Sequence, residues 1–194
     1  MPSFAIDIAM AALYLHFVAA HYAVFAVTHG WQTGLVVAQE TMLVGLFLAR
    51  RPVKTMSLEI GDWLSAGVGT FGPLLLHPTG ANAVATAMQM AGLCVSMASL
   101  ASLRRSFGIV AAWRKTMTSG MYSVVRHPQY AGHHLLLVGY LLASPSVWNA
   151  VCVSLTIGAL WLRIMAEENV LLEASAEYRD YAVRVPWRVV PGVL

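Results

Sequence analysis

The side chains best suited to chemistry are concentrated between residues 119 and 168, in an otherwise apolar part of the chain. In sequence order they are Arg126, His127, Tyr130, Arg163, Glu167 and Glu168. Ionisable groups at membrane depth are costly, so their presence by default indicates a functional site. Carboxylates suit a cationic group, arginine suits an anionic one, and aromatic rings suit a flat ring system. The set therefore fits a zwitterionic nucleoside such as S-adenosylmethionine.

Other kinds of site have no recognisable pattern in this sequence. There is no His-Glu-x-x-His zinc motif, no glycine-rich phosphate loop after a strand, and no spaced Ser-His-Asp or Cys-His set. His127, His133 and His134 do not share one helix face, because His127 precedes a proline that disfavours helix there. We accordingly expect no metal site.

Composition places the chain among integral membrane proteins. Hydrophobic residues make up 58% and charged residues only 11%, with a mean hydropathy of +0.66. Soluble domains carry roughly 25% charged residues. Only two cysteines occur, so no disulfide or zinc framework is expected.

Six apolar runs follow one another along the chain, which predicts an all-α helical bundle in the membrane. They cover residues 4–27, 33–49, 63–76, 81–103, 130–143 and 147 to about 165. The last two, joined by Ser144-Pro145-Ser146, are predicted to form a helical hairpin, and an amphipathic C-terminal helix is predicted after them. We expect one structural domain, with a scaffold over 1–105 and the functional core over 106–194.

The loops alternate between basic and neutral. Residues 50–54, 104–126 and the C-terminal tail carry Lys or Arg, whereas the loops near Gly30, His77 and Ser144 carry none. Six passes with both termini in the cytoplasm produce this alternation. We therefore expect the chemically active residues to converge on the cytoplasmic side of an inner or cell membrane.

The spacing of these residues resembles the isoprenylcysteine carboxyl methyltransferase family, whose phospholipid methyltransferase relatives share a looser pattern. The resemblance rests on Ser119-Gly120-Met121-Tyr122, on Arg126-His127-Pro128-Gln129-Tyr130-x-Gly132 and on Arg163-x-x-x-Glu167-Glu168. Glu177-Tyr178-x-x-Tyr181 and Val185-Pro186 extend it, so that it covers about the last 90 residues. It implies a membrane-embedded methyltransferase that uses S-adenosylmethionine and has no Rossmann domain.

The resemblance also implies roles for individual residues. The predicted cofactor-binding residues are Lys115, Thr116, Met117, Tyr122, Arg126, His127, Pro128, Gln129, Tyr130 and Glu167. Glu167 would bind the methionyl ammonium by a charge-assisted hydrogen bond. Arg163 matches an arginine that faces the acceptor, and Glu168 is a candidate proton acceptor; these two are the predicted catalytic residues.

The acceptor stays open at this point. A lipophilic molecule is expected to enter from the bilayer, and carboxyl O-methylation of an isoprenoid or prenylcysteine-like substrate is the first hypothesis. A phospholipid amine or a thiol is the alternative, and nucleic acid is not expected as a partner. The Val185-Pro186-Trp187-Arg188 sequence departs from the commoner Val-Pro-Arg form. A different class of function is a haem carrier using His16, His21, His77 or His134, or a small transporter.

Overall fold

A computed structural model describes residues 2–77 and 79–193 of the chain. It is helical with almost no sheet, which confirms the predicted all-α membrane bundle. The helices are α1 Pro2–Thr28, α2 Trp31–Ala49, α3 Ile60–Phe71, α4 Ala83–Leu103, α5 Pro128–Ala143, α6 Val147–Ala174 and α7 Ala176–Arg184. Two short strands, β1 Thr55–Met56 and β2 Ala112–Trp113, pair antiparallel.

Within the described residues, four helices are long and apolar enough to cross a membrane, as a multi-pass membrane protein requires. They are α1, α2, α4 and α6, whereas α3 and α5 have only 12 and 16 residues. The six predicted apolar segments correspond to α1 to α6. The sixth apolar run was predicted to about residue 165, and the helix that carries it, α6, continues without a break to Ala174.

The chain forms two compact units. The first comprises Met1–Pro52 with Leu103–Phe107, and the second comprises Val53–Ser102 with Gly108–Leu194. These bounds differ from the division at residue 105, and the assignment of a scaffold and a functional core stays a prediction.

The first unit is built on α1 and α2. Phe47 is fully buried, stacks on Tyr14 with ring centroids 5.7 Å apart, and meets Phe107 edge-on. His21 Nδ1 lies 2.9 Å from a carboxylate oxygen of Glu40. Such polar pairing lowers the cost of placing ionisable groups inside apolar helices.

In the second unit, α4 and α5 meet through glycines. A Cβ on Gly132 would lie 2.6 Å from the Gly92 carbonyl oxygen and 2.8 Å from the Ser96 nitrogen, so the two backbones are in close contact. In the membrane there is no hydrophobic driving force between helices, and small residues let their backbones approach closely enough for van der Waals contact. The contact fixes the first turn of α5, which carries several candidate site residues.

Glycines also bring α3 against α6. A Cβ on Gly69 would lie 3.0 Å from Leu160 and 3.5 Å from Arg163, and one on Gly72 would collide with Thr156. On its other side α6 packs against α5, where Leu137, Val153, Leu160 and Ile164 form a buried cluster. Helix α6 is therefore held on two sides by α3 and α5.

The beginning of α6 is surrounded by neutral hydrogen bonds. Asn149 accepts from the His77 amide at 3.0 Å and donates to the carbonyl oxygens of His77 and Ser144. Ser144 Oγ accepts from the amides of Thr79 and Gly80. These hydrogen bonds give partners to backbone N–H and C=O groups of the loops, which have none within a helix.

Candidate functional site

The charged residues of α6 are brought together by the continuity of that helix. Arg163 and Glu167 are four residues apart and share a face, as an unbroken helix requires. Glu168 lies one position further round and is buried. The two adjacent glutamates therefore face different surroundings.

Glu168 is enclosed by three side chains from two parts of the chain, the Arg126–His127 turn and the C-terminal tail. Its Oε1 accepts from Arg126 Nε at 2.7 Å and lies 3.2 Å from His127 Nε2, and its Oε2 accepts from Arg188 Nε at 2.8 Å. The side chain is only 7% exposed. Both oxygens accept from arginine side chains, which stabilise the ionised carboxylate and make it a weaker proton acceptor.

Arg126 connects Glu168 to the C-terminal tail. Its Nη1 donates to the carbonyl oxygens of Val185 at 3.0 Å and Pro186 at 2.8 Å, just beyond the end of α7. Its backbone amide donates to the Trp187 carbonyl at 2.8 Å. Arg126 thus organises the protein around the site, and contact with a cofactor stays a prediction for it.

Glu167 is the open member of the pair. Tyr130 Oη donates to its Oε1, while Arg163 Nη2 and His127 Nδ1 lie 3.8 and 3.9 Å from its two oxygens. These two distances exceed those of hydrogen bonds. The side chain keeps 22% of its surface exposed. Glu167 can therefore accept a further donor without displacing a close cationic partner.

Arg163 is a buried cation with incomplete pairing. Its Nη1 donates to Thr70 at 3.3 Å, and its guanidinium lies 5.3 Å from the centre of the Tyr130 ring. Nε is buried without a hydrogen-bond partner within the described part of the chain. A buried cation of this kind suits an anionic or carbonyl-bearing group.

The first turn of α5 holds the His-Pro-Gln-Tyr sequence in place. His127 precedes the helix and Pro128 occupies its first turn, where a missing N–H costs nothing. Gln129 Nε2 donates to Ser96 on α4 at 3.1 Å, while its buried Oε1 has no partner among residues 2–77 and 79–193. That oxygen is therefore a buried acceptor whose hydrogen-bonding capacity is unused within the described residues.

Tyr122 lies in a turn that depends on a glycine. Gly120 has a φ of 65°, which favours glycine, and a Cβ there would collide with Ser102. The Tyr122 carbonyl accepts from Tyr181 Oη at 2.7 Å. Burial, reinforced by the charge of Glu167, raises the pKa of Tyr122 well above its usual range. Burial and the charge of Glu167 therefore both favour the neutral form of the Tyr122 phenol.

The remaining predicted cofactor residues precede this turn. Lys115 is exposed, Met117 is half-buried, and Thr116 is buried with its hydroxyl 3.2 Å from that of Ser175. Ser175 also begins α7 by accepting from the Tyr178 amide. Thr116 thereby joins this segment to the end of α6, and direct contact of the three residues with a cofactor stays a prediction.

Two arginines, Arg114 and Arg188, lie near Glu167 and Glu168 but were not among the predicted site residues. Arg188 belongs to the basic tail and to the Val185-Pro186-Trp187-Arg188 sequence, and neither pattern predicted a role for it in the site. Arg114 is buried; burial lowers the pKa of its guanidinium, and the charge of Glu167 acts in the opposite direction. Arg114 directly follows β2, so the short β1–β2 pairing positions it. No strong local sequence pattern predicts either these two strands or the folding back of the tail.

The other histidines have separate partners. His77 stacks on Trp148, and His134 Nδ1 bonds the Tyr130 carbonyl, while His21 pairs with Glu40 in the first unit. Among the described residues, no three His, Cys, Asp or Glu side chains are grouped to hold a metal ion.

The family model for phospholipid methyltransferases matches residues 81–177 of the chain. The chain belongs to this family. The match begins just before α4 and ends in the first turn of α7, so it includes Arg126, Arg163 and both glutamates. No curated protein and no solved structure gives a significant match. Family membership and the apolar helices together indicate a methyltransferase embedded in the membrane.

Proposed function

We propose that the protein transfers a methyl group from S-adenosylmethionine to a lipophilic acceptor held in the bilayer. The observation that carries the proposal is the contrast between Glu168, whose two oxygens accept from arginines, and Glu167, which accepts from the Tyr130 hydroxyl and keeps part of its side chain exposed. Membership in a methyltransferase family supports it.

The residues present fit the charges of this cofactor. Glu167 would hold its ammonium, and the unpartnered oxygen of Gln129 offers an acceptor for a further N–H or O–H. Tyr122 and Tyr130 are buried aromatic residues near Glu167, and we propose that their rings line the cofactor pocket. When bound, the cofactor would supply a methyl group on a positively charged sulfur, already activated toward a nucleophile.

The protein would then contribute mainly by positioning the acceptor. Arg163 lies one turn of α6 before Glu167 and is 7% exposed. We infer that its guanidinium orients an acceptor carboxylate, since planar arginine binds carboxylates by two parallel hydrogen bonds. Correct orientation and exclusion of water can supply much of the rate of such a reaction.

The favoured acceptor is therefore a carboxylate on an isoprenoid or prenylcysteine-like molecule. A carboxylate needs no base before it is methylated, which agrees with the engagement of both Glu168 oxygens. The second candidate is a phospholipid amine, favoured by the family match, with a thiol as a variant. An ammonium group must first lose a proton, so this candidate requires Glu168 or a tyrosine to act as base.

We further propose that the protein lies in an inner or cell membrane and that its site faces the cytoplasm. The basic loops at residues 50–54 and 104–126 and the basic tail support this orientation. The cofactor would enter from the aqueous side and the acceptor from the lipid.

A methyl-transfer assay tests the function directly. The purified full chain is given radiolabelled S-adenosylmethionine and one of three lipids: a prenylcysteine, phosphatidylethanolamine or a long-chain thiol. We expect label in a base-labile ester of the prenylcysteine. Label in the amine lipid alone would replace the first candidate with the second. No transfer to any acceptor, together with a Soret band in the purified protein, would contradict the proposed function.

A further inference from the structure

The tail after α7 folds back over the Arg126–His127 turn. The amide of Arg126 donates to the Trp187 carbonyl at 2.8 Å, and that of His127 donates to the Arg188 carbonyl at 2.7 Å. Val189, the next residue, is buried in the cluster formed by α5 and α6. Residues 185–189, here called the strap, are therefore paired along their backbone and anchored at one end in the core.

One side chain fastens the strap to the paired glutamates. Arg188 Nε donates to Glu168 Oε2 at 2.8 Å, on the oxygen opposite the one that Arg126 and His127 contact. Arg188 is 49% exposed, whereas Arg126 is 8% exposed. Arg188 is thus the one of the two arginines that can leave Glu168 without carrying an uncompensated charge through the protein interior.

His127 relates this fastening to Glu167. Its Nε2 lies 3.2 Å from Glu168 Oε1 and its Nδ1 lies 3.9 Å from Glu167 Oε2, so the imidazole stands between the two carboxylates. Its backbone is held by the strap and its ring by Glu168. A shift of the strap would therefore displace His127 and change the environment of Glu167.

We propose that Arg188 is a positioning residue, which closes the strap on Glu168 and thereby holds His127 and Glu167 in the geometry that binds the cofactor. This inference rests on the proposed function, because it takes Glu167 as the cofactor-binding carboxylate. It assigns Arg188 no contact with cofactor or acceptor.

The test compares Arg188→Ala with Arg188→Lys and with Arg184→Ala, a control at an exposed cation in the same part of the chain. Calorimetry measures the Kd of S-adenosylhomocysteine for the full-length protein. We expect Arg188→Ala to weaken binding about five- to twentyfold, less than the loss of a direct charged contact. Arg188→Lys should recover most of the affinity, because its ammonium can still reach Glu168, and Arg184→Ala should match the wild type.

Two further readouts separate positioning from a general loss of fold. Hydrogen exchange should accelerate at the amides of Arg126 and His127, which the strap protects. The KM for the cofactor should rise while kcat and the acceptor KM change little. If Arg188→Ala does not yield folded protein, Arg188→Gln takes its place with the same expectation.

The outcomes are distinct. An affinity within twofold of wild type in the folded Ala or Gln variant would overturn the role of Arg188. A loss that lysine does not recover would also overturn it, since the fastening is argued from charge and reach. If the wild-type protein binds no S-adenosylhomocysteine, the proposed function itself fails first.

Discussion

The two ends of α6 solve the problem of buried polar groups in different ways. At its beginning, Asn149 and Ser144 are surrounded by neutral backbone groups at 2.8–3.1 Å. Toward its end, α6 carries the charged residues Arg163, Glu167 and Glu168. Glu168 accepts from Arg126 and from Arg188 in the tail, whereas Glu167 accepts from Tyr130 on α5 and keeps a fifth of its side chain exposed. The first end has its hydrogen bonds completed internally, and the second leaves a carboxylate open.

This difference indicates which end is structural and which is functional. A neutral network whose groups are paired holds loops together without exposing chemistry. Charged groups in a membrane protein are expensive, and an incompletely paired one persists where a ligand or substrate completes it. Variants at each end should accordingly affect different measurements.

The largest effect is expected at the neutral end. Asn149→Ala removes one acceptor and two donors from buried loop groups. Each group left unpaired costs about 1–3 kcal/mol, so the free energy of unfolding should fall by at least about 3 kcal/mol. Chemical unfolding in detergent measures this fall, with the exposed Asn169→Ala on the same helix as control. Cofactor affinity of the folded fraction should stay at the wild-type value; a parallel loss of affinity would remove the distinction between the two ends.

At the charged end, Arg163→Lys should affect turnover before stability. The substitution keeps the charge but loses the planar group that contacts Thr70 and lies over Tyr130. We expect kcat to fall at least about tenfold, which is roughly 1.4 kcal/mol on the barrier. Steady-state kinetics and calorimetry together measure this, with Arg184→Lys as control. Lost cofactor affinity with unchanged turnover at saturation would instead place Arg163 in the cofactor pocket.

Alkaline pH should lower the stability of the protein by a smaller amount, through tyrosines near the charged end of α6. Burial raises the pKa of Tyr181 to about 12, and burial with the charge of Glu168 raises the pKa of Tyr178 above its usual range. A raised pKa in the folded state means that stability is complete below about pH 10 and is lost as pH rises toward 12. Thermal unfolding between pH 8 and 12 should show this slope. Tyr178→Phe should reduce it; an equal slope in that variant would show that other groups cause the loss.

Much of this architecture could be predicted from the sequence, and the exceptions have physical causes. The six apolar runs and the proline at the start of α5 indicated their helices directly. The sixth apolar run ends near Met165, but α6 continues to Ala174 and carries both glutamates. Arg126, Arg188 and Tyr130 neutralise or bond these carboxylates. Those partners lie 20 to 42 residues away in sequence, and no local pattern reveals them.

The most direct test of the account is cofactor binding by Glu167→Gln, compared with wild type and with Glu173→Gln at an exposed position of the same helix. Glutamine keeps the shape and can still accept from Tyr130, so the variant removes mainly the charge. A charge-assisted hydrogen bond is worth about 1.5–3 kcal/mol, which predicts a roughly ten- to hundredfold weaker calorimetric Kd for S-adenosylhomocysteine. The Glu173→Gln control should bind like wild type. Equal affinity in all three proteins would contradict the assignment of Glu167 as the open, ligand-binding member of the pair.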